Sequence, residues 1–323
     1  MLSTYAILLT TLLAQAPTTS ADTARPPSGD PDALSVQVML DRAGFSPGAI
    51  DGRMGQNTTR ALAAYERAGH DPSSAPAEPL LIYRITAADV AGPWTDGIPD
   101  DLVEQSKLPA LTYENALEAL AERFHTTPAF LKQVNPKATF VADEEIRVPN
   151  VEPMVLPAPA PEMAAGKPKG QQEADRTAAD ERMAARPAVT VRVSKQQSAL
   201  TVTDESGKVV MYAPVTTGSE RDPLPLGEWK VTGVQLNPVF RYNPELFWDA
   251  DPSHTKALLP PGPNNPVGLV WVDLSKEHYG IHGTPEPSTI GRTQSHGCVR
   301  LTNWDALRLA GLVRPGTRVL FEP

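Results

Sequence analysis

YGIHGTPEPSTIGRTQSHGCVR, residues 279–300, holds the chain's only cysteine, Cys298, two residues after His296 and sixteen after His282. A thiol attacks a carbonyl carbon as its thiolate, and a neighbouring imidazole is the usual means of forming one near neutral pH. Gly283 and Gly297 each follow a histidine, where a missing side chain lets backbone approach a substrate closely. The amides around His296, Gly297 and Cys298 are placed to face a developing oxyanion. This spacing points to a Cys–His acyl-transfer site. Two other readings stay open on these residues alone. His278, His282, His296 and Cys298 offer three imidazoles and a thiolate, a ligand set that zinc accepts, although His-x-Cys in a glycine-rich turn is not a usual metal spacing. Alternatively, Cys298 is an inert buried side chain among structural histidines.

Outward from this stretch, residues 188–323 are rich in strands. VTVRV (189–193), ALTVT (199–203) and VVMYAPV (209–215) alternate with a period of two, and Asp204-Glu205-Ser206-Gly207 forms a hairpin turn between the last two. GEWKVTGV and GLVWVDL continue the pattern. One late helix is expected at TNWDALRLAG, with Thr302 or Asn303 as cap, Asp305 in the first turn and Gly311 at its close. Strands with one late helix predict a β-sandwich.

HGT at 282–284 followed by SHGCVR at 295–300 resembles the catalytic signature of the L,D-transpeptidase (YkuD-like) family. The resemblance extends to the segment Pro260–Gly268, to Tyr279-Gly280-Ile281 and to Asp305-Ala306-Leu307, and so covers 188–323. Leu224-Pro225-Leu226-Gly227-Glu228-Trp229 departs from the family's usual Thr-Pro-x-Gly-x-Phe, away from the signature. The resemblance implies that Cys298 is the nucleophile and His282 its general base and later acid. Gly283 would orient the imidazole through its carbonyl, and His296 and Gly297 would shape the oxyanion site. Arg300 would hold the loop or a substrate carboxylate, with Ser295 and Tyr279 beside the substrate. The implied reaction opens a peptidoglycan tetrapeptide stem at the L-centre of meso-diaminopimelate and releases D-alanine. The acyl group then passes to another stem, a D-amino acid or a lipoprotein lysine, or to water in an L,D-carboxypeptidase. Carbapenems are the implied covalent inhibitors; neither cofactor nor metal is implied. A non-catalytic wall-anchoring protein is the alternative from another class, and the intact Cys298 and His282 argue against it.

Residues 151–187 contain six prolines and no aromatic residue, too little apolar surface to offset chain entropy, and predict an extended linker with a brief helix at 171–185. Upstream, DPSSAPAEP (71–79) separates two smaller units. Over 30–70, apolar positions at Leu34, Val38 and Leu40 and at Ala61, Leu62 and Tyr65 mark two short helices around a glycine-rich turn. Ala49–Gly55 followed by Thr58-Thr59-Arg60-Ala61-Leu62 resembles the type 1 peptidoglycan-binding domain. Over 80–150, a strand at LIYRIT, two helices broken at Thr126-Thr127-Pro128 and a closing strand at 146–151 are similar to the βααβ LysM module, which implies binding to glycan strands. About 25 residues are inserted between its first strand and first helix.

Residues 1–21 open the chain with an apolar run, Tyr5 to Ala16, and small residues at Ala14 and Ala16, the pattern of an export signal or an uncleaved anchor. Both imply a periplasmic or wall location. Beyond this run no stretch approaches the ~18 apolar residues of a membrane span, which excludes a polytopic membrane protein. The net charge of −9 argues against nucleic acid as the main partner. A single cysteine excludes an intramolecular disulfide.

Overall fold

The computed structural model describes residues 31–157 and 181–323; the leader-like segment 1–21 and the middle of the proline-rich segment lie outside the described residues. Within 188–323, alternating side chains build one eight-stranded sheet in the order β11-β10-β9-β6-β12-β3-β4-β5. Its strands are β3 (Val189–Ser194), β4 (Ala199–Asp204), β5 (Val209–Pro214), β6 (Gly227–Leu236), β9 (Val270–Leu274), β10 (Gly280–His282), β11 (Val299–Arg300) and β12 (Arg318–Glu322). This corrects the expected two-sheet sandwich. β6, ten residues long, belongs to both halves and shifts register between Val231 and Gly233, where a bulge sharpens the local twist. The sheet therefore curls on itself. Val191, Val193, Leu200 and Met211 from one half meet Val270, Val272 and Ile281 from the other in a single core.

The closing helix, Asn303–Leu312, fills that core with Trp304, Ala306 and Leu309. Thr302 caps it by accepting the Asp305 amide. It runs one residue past Gly311, where a close had been expected.

β5 is an edge strand, which exposes an unpaired row of backbone groups. The first unit covers part of it. Between α1 (Pro31–Arg42) and α2 (Gln56–Arg67), Ser46 donates its amide to the Tyr212 carbonyl (2.8 Å) and Tyr212 donates back to Gly44 (2.9 Å). Gly44 adopts φ +83°, which suits glycine. Phe45 packs edge-on to Tyr65 and stacks on Tyr212.

The second unit pairs β1 (Leu80–Arg84) with β2 (Glu145–Pro149) antiparallel, around α4 (Ala116–Arg123) and α5 (Pro128–Val134). Its inserted segment carries α3 (Leu102–Gln105) and packs Leu111, Leu102 and Val103 against Tyr242 and Leu259. Those two belong to a ribbon, β7 (Phe240–Tyr242) and β8 (Ala257–Leu259).

Both units dock on the sheet domain. Asp41 of α1, with no exposed side-chain surface, meets His125 Nδ1 at 3.0 Å and Arg308 at 3.5 Å. Ser46 donates to Asp305 (2.7 Å), and His125 stacks on Trp304 at 5.2 Å. Burial alone would raise Asp41, but the charges and hydrogen bonds of His125 and Arg308 hold it below its ordinary value. At 151–157 the proline-rich segment lies against the sheet domain instead of running free, which corrects the linker reading there, and residues 181–184 are helical, within the brief helix expected over 171–185. Met154 enters the sheet core, and Arg186 donates to the Ala310 and Val313 carbonyls at the end of the closing helix.

Asp41→Ala strips the shared partner from His125 and Arg308 at this junction. It should cost about 3–5 kcal/mol in denaturant unfolding, far more than an exposed ion pair would. Loss of fluorescence from Trp304 and loss of helical ellipticity should coincide, since the three units share the junction.

Candidate active site

A cleft of about 760 Å³ opens between the β9–β11 edge of the sheet and the β7–β8 ribbon, and His282, Cys298, Arg300, Tyr279, Ser295 and His296 all line it. The inserted segment of the second unit reaches the same wall through Leu102.

His282 ends β10, between Trp271 of β9 and Arg300 of β11 in register. It is buried, and its ring stacks on Trp271 at 5.5 Å. Nδ1 lies 2.7 Å from the Gly283 carbonyl. A carbonyl accepts only, so Nδ1 carries the proton and Nε2 is left with a free lone pair. Burial, aided by the charge on Arg300, lowers the imidazole to about 3. Because an unfolded histidine takes up its proton near 6.5, this group makes the fold lose stability as pH falls through that window.

Cys298 precedes β11 and is half-buried, with Sγ 3.8 Å from the His278 carbonyl. Burial raises its thiol, opposed by the Gly280 amide and the Arg300 charge. The resting pair is therefore a neutral thiol and a neutral imidazole.

The loop before Cys298 is braced from within. Ser295 Oγ donates to the Cys298 carbonyl (2.6 Å) and accepts from the Gly297 amide (3.3 Å). Its own amide donates to Thr217 (3.0 Å). Gly297 has φ +106°, and a Cβ there would come within 2.7 Å of the Tyr279 ring, so only glycine fits beneath that ring. Arg300 is held by its backbone to Thr216 on both sides.

The His296 side chain engages the ribbon's loop. Nε2 meets Asp249 at 2.7 Å, and the ring packs against Phe247 and Trp248. The imidazole thus ties the ribbon's loop to the segment that leads into Cys298. His278 sits on the surface facing Glu277. Among the described residues, no group of three or more His, Cys, Asp or Glu side chains is arranged to hold a metal ion.

Sequence reading missed Trp271, Asp249 and Asn303. Trp271 had a signal: it occupies the outward position of an alternating strand, where a large aromatic ring needs a partner.

Residues 188–320 match the family model of the L,D-transpeptidase catalytic domain. Over 63 residues the chain is 54% identical to YkuD of Bacillus licheniformis, a protein named as an L,D-transpeptidase; this spans 20% of the chain and 38% of that relative. It is 27% identical to the protein of the same name in Bacillus subtilis, over 65% of the chain and 97% of the relative. With YqjB of B. subtilis, also named as an L,D-transpeptidase, the identity is 31% over 40% of the chain and 69% of the relative.

Two pH profiles test the site. The acid limb of kcat/KM should lie near 3 rather than near 6.5, and Arg300→Gln should move it upward by removing the neighbouring charge. Alkylation of Cys298 by iodoacetamide should keep climbing through pH 9.0 without an earlier plateau, because burial raises the thiol.

Proposed function

The chain belongs to the L,D-transpeptidase family, and from this we propose that it is a cysteine acyltransferase acting on peptidoglycan stems. The observation that carries the reading is the His282 Nδ1–Gly283 hydrogen bond, which leaves Nε2 unprotonated in the cleft that holds the chain's only thiol. When a tetrapeptide stem binds, Cys298 Sγ turns from the His278 carbonyl and attacks the L-centre carbonyl of diaminopimelate. Nε2 takes the thiol proton as the carbon–sulfur bond forms. The Cys298 amide faces the oxyanion, on a turn that Gly297 and Ser295 hold in place, where preorganised donors lower the barrier most. The carbon–nitrogen bond then breaks, the imidazolium gives its proton to the departing D-alanine amine, and a thioester remains.

An acceptor amine, deprotonated by the same Nε2, attacks the thioester and restores the thiol. The acceptor in this reading is a second stem, a D-amino acid or a lipoprotein lysine. Arg300, lining the cleft with its positive charge, suits a stem carboxylate. The first and second units serve as wall-binding modules that face the chemistry toward glycan strands. Such a substrate places the protein in the periplasm or wall, which gives the leader-like segment its use.

Cys298→Ala should release no D-alanine from a diaminopimelate tetrapeptide and show no acyl mass shift, while its stability stays within about 1–2 kcal/mol of wild type. D-alanine release above background in that variant would remove the nucleophile assignment. A carbapenem, whose strained amide a thiolate opens to a thioester, should leave one adduct on the wild type and none on Cys298→Ala by intact-protein mass spectrometry.

A further inference from the structure

We infer that Glu122, on α4 of the second unit, is a positioning residue for the catalytic imidazole, acting through Asn303. The inference rests on the reading of His282 as the base for Cys298. Glu122 is buried, with Oε2 accepting from the Tyr113 hydroxyl (2.6 Å) and Oε1 accepting from Asn303 Nδ2 (2.9 Å). Asn303 opens the closing helix and is wholly buried. Its Nδ2 also donates to the Pro263 carbonyl (3.2 Å), and its Oδ1 accepts the Leu269 amide (2.9 Å).

That oxygen is pressed against the backbone that carries the base. A Cβ built on Gly268 or Gly283 would lie 2.0 Å or 2.1 Å from Asn303 Oδ1, so the amide is wedged between the two glycines. Gly283 is then pinned on both sides. Its amide donates to Val270 (3.2 Å) and its carbonyl accepts from His282 Nδ1 (2.7 Å). Glu122 decides which way the Asn303 amide points. Were the amide reversed, its oxygen would face the Glu122 carboxyl and its NH2 would face the Leu269 amide, two repulsions in a dry site. The second unit also holds the segment that leads into Gly268: the Leu111 amide donates to the Pro261 carbonyl (3.1 Å), and Asn264 Nδ2 donates to Glu118 (2.8 Å). A unit that resembles a wall-binding module thus contributes a side chain to the support of the catalytic histidine.

Glutamine has the shape of glutamate and keeps one oxygen, so Glu122→Gln preserves the acceptor toward Asn303. The test uses the full chain, with D-alanine release from a diaminopimelate tetrapeptide and the NMR signal of the His282 Nδ1 proton. In Glu122→Leu, kcat should fall about tenfold to a hundredfold, as misplacement of a catalytic group does, while KM stays within roughly twofold. The His282 proton signal should broaden in Glu122→Leu and stay sharp in Glu122→Gln, which should keep nearly wild-type kcat. Should Glu122→Leu fail to fold, Asn303→Asp gives the same test: it sets two carboxyls together and should lower kcat. Adding Glu122→Gln to it should restore much of the rate, because the new amide donates where Asn303 once did. Wild-type kcat in folded Glu122→Leu, equal losses in Gln and Leu, or no rescue in the double variant would each overturn the inference. His282→Ala, run alongside, separates the two levels. If it is inactive while folded Glu122→Leu turns over normally, only the Glu122 role falls; if it retains wild-type turnover, the base assignment falls and takes this role with it.

Discussion

A peptide carbonyl has lone pairs and no proton to give. At Gly283 that limitation decides where the proton of His282 resides, and the remainder of the site follows from it. Triads elsewhere use a carboxylate in this place, which can stabilise the imidazolium by charge as well as orient the ring. A neutral carbonyl orients without contributing a charge. Burial and the nearby guanidinium of Arg300 outweigh the carbonyl's own pull toward the charged form and keep the imidazole neutral.

Orientation by a single backbone oxygen demands that the oxygen itself stay still. Strand β10 is only three residues long and β11 only two, too short to be rigid by their own ladders. Their stiffness is borrowed. Parallel pairing sets His282 opposite Arg300, the Leu301 amide returns to the His282 carbonyl (2.8 Å), and the Asn303 side chain fills the space that two glycines leave open. Short strands at the edge of a curled sheet, braced from the helix behind them, give an open cleft without loosening the side chains that line it.

How much of this was legible depends on the range of each interaction. Cys298 and His282 stood out because a chain with one cysteine advertises it, and because the glycines around them are local. Thr302 as a cap and the alternation of β3 to β5 are likewise written within a few residues. The closure of the sheet was not, since the parallel pairs β10–β11 and β12–β3 join segments with no shared periodicity. Asp41 and His125 read as ordinary polar residues of a helix and a turn; their burial arises only where two units meet a third. His296 carried a catalytic-looking position, yet its side chain answers to Asp249, forty-seven residues away, a pairing that no local pattern signals. The inserted segment had no counterpart in the module it interrupts, and its use is visible only in three dimensions, where it braces the ribbon beside the cleft through Asp101, His254 and Tyr242.

Docking through buried polar groups also limits how this architecture can be recombined. Modules joined by a free tether can be exchanged like beads, because neither side holds residues specific to the other. Here Arg308 and Asn303 on the sheet domain are incomplete without Asp41 and Glu122 supplied from upstream. A chimera that kept the sheet domain and took its upstream units from another protein would bury a cation and an amide against whatever surface happened to arrive. Such a graft would have to carry the matching carboxylates with it, so the inheritable unit is the docked assembly rather than any one of its parts.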